Sequence, residues 1–542
     1  MSHMIFTVPS LVRVFADREQ LPSENRGSTM KNETFTFQVA VPGGAEGLSD
    51  VYLSAGGALA GHIRFYPVAD IPATLENVPE LDDYVERAPD HLYPELCRED
   101  KTFSVAAGKT RGILVTVSGD LPAGVHRIPL SLKKGKETLA KTHYTLTVVD
   151  ALLPETDLVI THWMHCDCIA ELHGVEIFSD DFYRVFDRYL TAYVALGNNM
   201  LLVPTVTPAL DTAVGAERMT AQLVDIVREG ERYTFSFDKL DRYIDFAKAH
   251  GIRYFEFAHL FTQWGAKFCP KIVATAEGTE RKIFGWEISS DSPEYRNFLT
   301  QYLPALRAYI ERRGLEKVSY IHLSDEPEPQ MIDDYERHYR FVKPLIGDLP
   351  TFDALSDVNF CRRGIVDVPV CVTSHAKDFL EQGVPHFAYY CCGPCNHYYS
   401  NRFFVMPPER TRVIGVQLFR NHAMGFLHWG YDFYHTQYSL SVVDPYTETS
   451  AGGKFMSGDS YLVYPDREKD GVLLSLRYHW IRDAFQDYRA LLLAKQLLGE
   501  DATEALLSDF GIYGYTVYPH SPVLLRMFRE ALNEKIAEAL EN

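Results

Sequence analysis

Residues 318–327 read Val-Ser-Tyr-Ile-His-Leu-Ser-Asp-Glu-Pro, an apolar, strand-like run that stops on two adjacent carboxylates. Pro327 follows them and cannot donate to a strand ladder. On an open surface Asp325 and Glu326 would repel each other. Held together at a strand end, one can stay protonated while the other is ionised, which is what acid/base chemistry on a sugar requires.

Other chemistry-bearing residues fall at the ends of apolar runs. His162 and Trp163 end the first run, with His165 and Asp167 close behind. Asn199 opens the second, and Glu256 lies in the third, which leads into His259, Gln263 and Trp264. Later runs offer His322, then Tyr389 and Tyr390, then His428, Trp429, Tyr431 and Asp432. Of five tryptophans, four (Trp163, Trp264, Trp286 and Trp429) fall in or near these ends, although any one of them could simply fill a core. A flat aromatic face stacks on the C–H face of a pyranose, while His, Asn and Tyr satisfy hydroxyls. The expected substrate contacts are therefore His162, Trp163, Asn199, His259, Trp264, Trp286, His322, Tyr389, Tyr390, Trp429 and Tyr431. Glu256 and Asp353 are rival carboxylates, read first as internal ion-pair partners and otherwise as a second catalytic acid.

The bulk numbers narrow the partners. A formal net charge of −20 argues against nucleic acid or an anionic membrane. No run of 18 apolar residues suggests a membrane span. Met1-Ser2-His3-Met4 is set aside as an appended remnant. No apolar signal core follows it, so a cytoplasmic location is expected. Nine cysteines, an odd number, suit free thiols in a reducing compartment. Cys392-Gly393-Pro394-Cys395 carries the string of thioredoxin-like redox proteins, but an aromatic, loop-like stretch follows where a helix is required. His162, His165, Cys166, Asp167 and Cys168 fit no common zinc spacing. No metal and no cofactor is expected, and oligomeric state is not readable.

These residues need elements to hold them. Residues 5–150 show short alternating runs, such as 35–41 and 112–117, and a hairpin signal around Lys134-Gly135-Lys136-Glu137. They predict an N-terminal β-sandwich accessory domain, with 72–100 as a long acidic loop. From 151 to 542 apolar runs alternate with helical periodicity. Strands are predicted at 158–163, 199–204, 253–257, 318–324, 351–355, 369–373, 386–391 and 425–429. Helices are predicted from a Ser179-Asp180 cap onward, over 237–250 and 295–313, and over 475–498, with two more to finish. Eight such strands suit a (β/α)8 TIM-type barrel with a C-terminal helical extension, whose active residues lie at the strands' C-terminal ends. A doubly wound sheet is the alternative, but no Gly-rich phosphate turn follows the first strand.

Ser324-Asp325-Glu326-Pro327 resembles the Asn-Glu-Pro of retaining barrel glycosidases, but with Asp for Asn and no acid at the seventh strand. The chain more closely resembles glycoside hydrolase family 123, whose members are β-N-acetylgalactosaminidases, and the related domain of unknown function 4091. The matching strings include Thr161-His162-Trp163, Gln263-Trp264-Gly265, Phe284-Gly285-Trp286, 322–327, Gly425 to Trp429, Gly458-Asp459-Ser460 and Arg482 to Tyr488. The resemblance implies a glycan or small glycoside substrate and no protein nucleophile, an exception to the two-carboxylate scheme. Glu326 would then be the acid/base, and Asp325 would orient a 2-acetamido group that attacks C1. A non-catalytic carbohydrate-binding protein is the remaining alternative.

Overall fold

The computed structural model describes residues 4–18 and 20–541. Alternation along Phe35–Pro42 and Thr110–Val117 makes these neighbouring strands of a seven-stranded antiparallel sheet. Arg26–Met30, Glu137–Val149, Gly124–Lys134, Leu48–Ala55 and Phe103–Val105 form a second sheet. Phe37, Val39, Ile113 and Val115 pack against Leu130, Leu132, Tyr144 and Leu146 between the two, giving the sandwich core. The intervening Leu114 points the other way, as period-two alternation demands, into a cluster with Leu476 and Trp480. Two expectations change here. Within the supposed acidic loop, Leu92–Cys97 is a strand paired with Ile63–Pro72, its buried Tyr93 and Leu96 hidden among charged neighbours. The same sheet is also extended by a hairpin from far along the chain, Val463–Asp466 and Gly471–Ser475.

The apolar runs after residue 158 become eight short parallel strands, because their residues are buried on both faces. Val159–His162, Gly425–His428, Phe387–Tyr389, Val368–Val372 and Phe352–Ala354 form one parallel sheet; Met200–Val203, Tyr254–Phe257 and Ser319–Ile321 form another. A parallel bridge between Ile321 and Thr351 links them at one edge. At the other edge Asn199 does so: its N–H donates to the Ile160 carbonyl at 3.0 Å, and its Oδ1 accepts the Ile160 N–H at 2.8 Å. Val159, Met200, Leu202, Phe352, Val370, Phe387 and Leu427 meet in one cluster that draws on both sheets. The opposite faces, through Ile160, Leu201, Phe255, Ile321 and Phe426, pack on helices Asp180–Leu196, Asp238–Ala249, Pro293–Arg312 and Ile332–Ile346. The Ser179 side chain caps the first of these by accepting the Phe182 N–H. Two hairpins, Asp225–Glu229 with Arg232–Ser236 and Ile272–Ala276 with Thr279–Phe284, form a separate four-stranded sheet. No helix among the described residues is long and apolar enough to cross a membrane.

Helix Leu476–Leu498 joins the halves. Trp480 Nε1 donates to the Ser10 carbonyl at 3.0 Å, Thr36 Oγ1 to Asp483 at 2.7 Å, and Gln486 exchanges two hydrogen bonds with the Thr34 backbone. Asp487 takes a two-pronged bond from Arg412 (2.8 and 2.9 Å) and a third from Arg529, which also grips Glu33. Helix Ile414–Arg420, which leads into strand Gly425–His428, lies so close that a methyl group on Gly415 would overlap the Ala484 carbonyl. Gly415→Ala should therefore overpack this joint by about 1–3 kcal/mol and lower the thermal midpoint. Gly61→Ala, which meets nothing within 4 Å, should leave that midpoint unmoved in the same scan.

Candidate active site

Strand Ser319–Ile321 ends early, and the next residues are stitched to both neighbours. The Leu323 N–H donates to both carboxylate oxygens of Asp353 (2.9 and 3.2 Å). The Asp325 carbonyl accepts the Trp264 N–H at 3.0 Å, and the Glu326 N–H donates to the Ala354 carbonyl at 3.0 Å. Adjacent strand residues would face opposite sides. Glu326 instead adopts φ 45°, in the left-handed region, and both carboxyl groups line one cavity of about 290 Å³. Trp163, Trp264, Trp429, Tyr389, Tyr438 and Phe455 supply its aromatic walls. Asp211, Trp264 and Tyr438 share the left-handed conformation, at φ 39°, 59° and 64°. Such backbones cost roughly 1–3 kcal/mol each and cluster where function demands them.

The acids are electrostatically coupled. Burial pushes Asp325 well above the usual carboxylate range, the Glu326 charge adds to this, and the nearby His322 cation opposes it. Burial also raises Glu326, against the lowering effect of the Tyr389 hydroxyl, which donates to Oε1 at 2.9 Å. Asp325 is 9% exposed, and among the described residues no side-chain hydrogen bond offsets the burial of its carboxyl. Both carboxyls are therefore shifted toward the protonated form. That is the direction a general acid needs.

Below the cavity, His322 sits fully buried between two carboxylates: Nε2 lies 3.0 Å from Glu256 and Nδ1 3.3 Å from Asp353. Burial alone would push this histidine down, but the two carboxylates outweigh it and lift it to about 9. Glu256 also accepts Trp163 Nε1 at 3.0 Å, so the buried charges orient a wall of the cavity. His259, His322 and Asp353 approach closely enough to share a metal ion, as do Asp167, Cys168 and His435. Both sets are engaged: His322 as described, Asp167 with Arg218 at 2.7 and 2.8 Å, and His435 with Glu171 at 2.6 Å.

Of the residues expected to meet substrate, Trp163, Trp264, Tyr389 and Trp429 line the cavity with Asp325 and Glu326. The others lie outside that lining. Asn199 spends its side chain linking strands, His162 Nδ1 faces Asn198 Oδ1 at 2.8 Å, and His322 is sealed in its ion cluster. His259 stacks on His322 at 4.1 Å. Tyr390 packs on Phe426 and His428, and the Tyr431 hydroxyl meets the Tyr189 carbonyl. Trp286 is buried beside Phe268 near the four-stranded sheet. Glu256 and Asp353 are likewise buried under the floor. Missed altogether were Leu210, Asp211, Gln437, Tyr438 and Phe455, which also line the cavity. They come from loops without periodicity, joined where Asp211 Oδ2 accepts the Tyr438 N–H at 3.0 Å and the Asp211 carbonyl accepts Ser439 Oγ at 2.7 Å. Burial pushes Asp211 up to about 6.

A carboxyl pair shifted toward its protonated form under aromatic walls, at the ends of parallel strands, suits a glycoside hydrolase. The description "Glycoside hydrolase 123, catalytic domain" matches residues 163–494, and the chain belongs to that family. No curated protein matches it. Among solved structures, a family 123 glycoside hydrolase from Clostridium perfringens, described in a study of glycolipid glycan hydrolysis, is similar in fold. Its TM-score is 0.74 at 15% identity over 99% of this chain and 98% of that one. A family 39 glycoside hydrolase from Bacteroides cellulosilyticus gives a TM-score of 0.35 at 10% identity, covering 80% of each chain.

The His322 cluster has a measurable signature. A histidine raised from 6.5 to about 9 on folding contributes stability that is complete below 6.5 and lost as pH rises through about 9. His322→Gln should thus lower the thermal midpoint most at acidic to neutral pH, with the difference from wild type narrowing above about 9. A pH-independent difference would show that the cation is not what matters.

Proposed function

We propose that this protein is a retaining β-N-acetylhexosaminidase, acting on β-linked N-acetylgalactosamine by substrate-assisted catalysis. The observation that carries this reading is that Asp325 and Glu326 open into one aromatic cavity while Glu256 and Asp353 lie sealed beneath it. The eight parallel strands are read as two arcs of a (β/α)8 barrel, with residues 151–542 catalytic and 5–150 an accessory sandwich. The cavity then sits at the strands' C-terminal ends, where such barrels act.

In this mechanism Glu326 protonates the leaving glycosidic oxygen, then takes a proton from the incoming water. Asp325, whose carboxyl finds no hydrogen-bond donor among the described residues, accepts the acetamide N–H of the substrate. It turns the acetamide oxygen toward C1 and stabilises the positive oxazolinium-like intermediate. Tyr389 holds Glu326 in place through its 2.9 Å hydrogen bond. Trp163, Trp264 and Trp429 offer faces or edges to the sugar. No metal or organic cofactor enters these steps. The nine cysteines, all unbridged, support a reducing compartment and agree with the cytoplasmic location expected.

A second reading rests on Asp211, the one other carboxylate lining the cavity among the described residues. It could serve a two-carboxylate mechanism on sugars without an acetamide group. A thiazoline mimic of the oxazoline separates the two: strong competitive inhibition supports the acetamide mechanism, and its absence favours Asp211.

Glu326→Gln should cost about 100- to 10,000-fold in kcat on substrates with poor leaving groups, and much less on activated aryl N-acetyl-β-galactosaminides, with binding retained. Asp325→Asn should lose roughly 100- to 1,000-fold in kcat, because the acetamide is then poorly oriented. Steady-state kinetics on both variants read these effects. Full activity in either variant would remove that residue from the mechanism.

A further inference from the structure

The cavity wall beyond Tyr389 carries a feature that the proposed reaction leaves unused. Cys391 and Cys392 are neighbours in the chain, both line the cavity, and their Sγ atoms lie 3.7 Å apart. Cys392 is exposed and Cys391 half-buried, whereas six of the other seven cysteines are buried. The loop is braced from behind. Asn401 Nδ2 donates to the carbonyls of Cys391 at 2.9 Å and Pro394 at 3.0 Å, and the Cys391 N–H donates to the Gly393 carbonyl at 2.7 Å. The hydrogen bond between the thiols, burial and the nearby Glu326 charge hold Cys391 well above the usual thiol range. The exposed Cys392 is therefore the point of entry for a reagent.

We propose that Cys391 and Cys392 form a reversible modification site in the wall of the substrate cavity, closed to a disulfide by small disulfides of the glutathione class. The Cys392 thiolate attacks one sulfur of the small disulfide and expels the other as a thiolate. The Cys391 thiolate then attacks the Cys392 sulfur of the mixed disulfide and expels the second. Both protein thiol protons end on the released thiols, and two electrons pass from the protein to the small disulfide.

The geometry says what kind of bond this is. The sulfurs must close from 3.7 Å to about 2.05 Å. Adjacent Cα atoms are about 3.8 Å apart, below the roughly 4.4–6.8 Å that disulfides usually span. A bond so strained is easily reduced, which suits a reversible mark. Closing it works the loop against its Asn401 brace and shifts the wall that carries Tyr389 beside Glu326. Misplacing catalytic groups by about 1 Å can cost 100-fold, so the closed form turns over more slowly. Formation of the bond stands apart from the proposed activity; the slower turnover rests on that reading.

The test incubates the whole protein with oxidised glutathione, maps disulfides by mass without reduction, and measures kcat/KM on an aryl N-acetyl-β-galactosaminide before oxidation, after it, and after dithiothreitol. The expected result is a Cys391–Cys392 peptide lighter by two hydrogens and kcat/KM lower by about tenfold or more, restored by reductant. Closure should quicken as pH rises toward the thiol range. The ratio of reduced to oxidised activity should fall to near one in Cys392→Ser, and persist in Cys361→Ser, which lies outside the cavity lining. Absence of the bond, a Cys392–Cys395 bond in its place, or a bond that leaves kcat/KM unchanged would overturn the proposal. If the reduced protein cleaves no glycoside, the proposed function fails, and the mass map still decides whether the site exists.

Discussion

Two carboxyl groups on consecutive residues, sunk together into a cleft, repel each other and lose their water. The rest of the site is arranged around that cost. The chain pins the strand end from both sides, through Asp353 to the Leu323 N–H and through Ala354 and Trp264 to the Glu326 and Asp325 backbones. With the backbone held, Glu326 can occupy a left-handed conformation that a free chain would avoid. That single reversal lets neighbouring side chains share one cavity. The repulsion then becomes useful, because it shifts the pair toward its protonated form.

The floor of the cavity continues the same logic one layer down. His322, Glu256 and Asp353 bury three ionisable groups, which is tolerable only because each finds an opposite charge or a donor. Their contacts reach Trp163 on one side and the Leu323 backbone on the other. The sealed charges thus set the positions of exposed groups. Carboxylates that looked like rival catalysts serve as foundations.

Farther out, the long helix Leu476–Leu498 couples the sandwich to the parallel strands. Its run from Arg482 to Tyr488 is polar yet mostly buried, with Asp483, Gln486 and Asp487 bonded to residues some hundreds of positions away or on the last helix. Such a network is costly unless every member is satisfied. Met by Thr34, Thr36, Arg412 and Arg529, it fixes how the first and last parts of the chain meet.

Much of this was legible in the linear chain. The eight buried strands, the Ser179 and Ser475 helix starts and the acid pair all rest on local rules: apolar runs of strand length, a hydroxyl before a helical period, two acids and a proline ending a strand. Those rules act over a few residues and are written in neighbouring letters. The choice among the polar and aromatic residues at the strand ends was not. Trp163 enters the cavity while His162 beside it turns away, and Tyr389 enters while Tyr390 does not, because a strand shows alternate side chains to opposite faces. Nor could Asp211, Tyr438 and Phe455 be found, since they arrive on aperiodic loops whose meeting depends on hydrogen bonds between segments more than 200 residues apart. Residue types and local spacing therefore decided which chemistry was available, whereas the closing of distant segments over the strand ends decided which side chains take part, because contact in space carries no signature in sequence order.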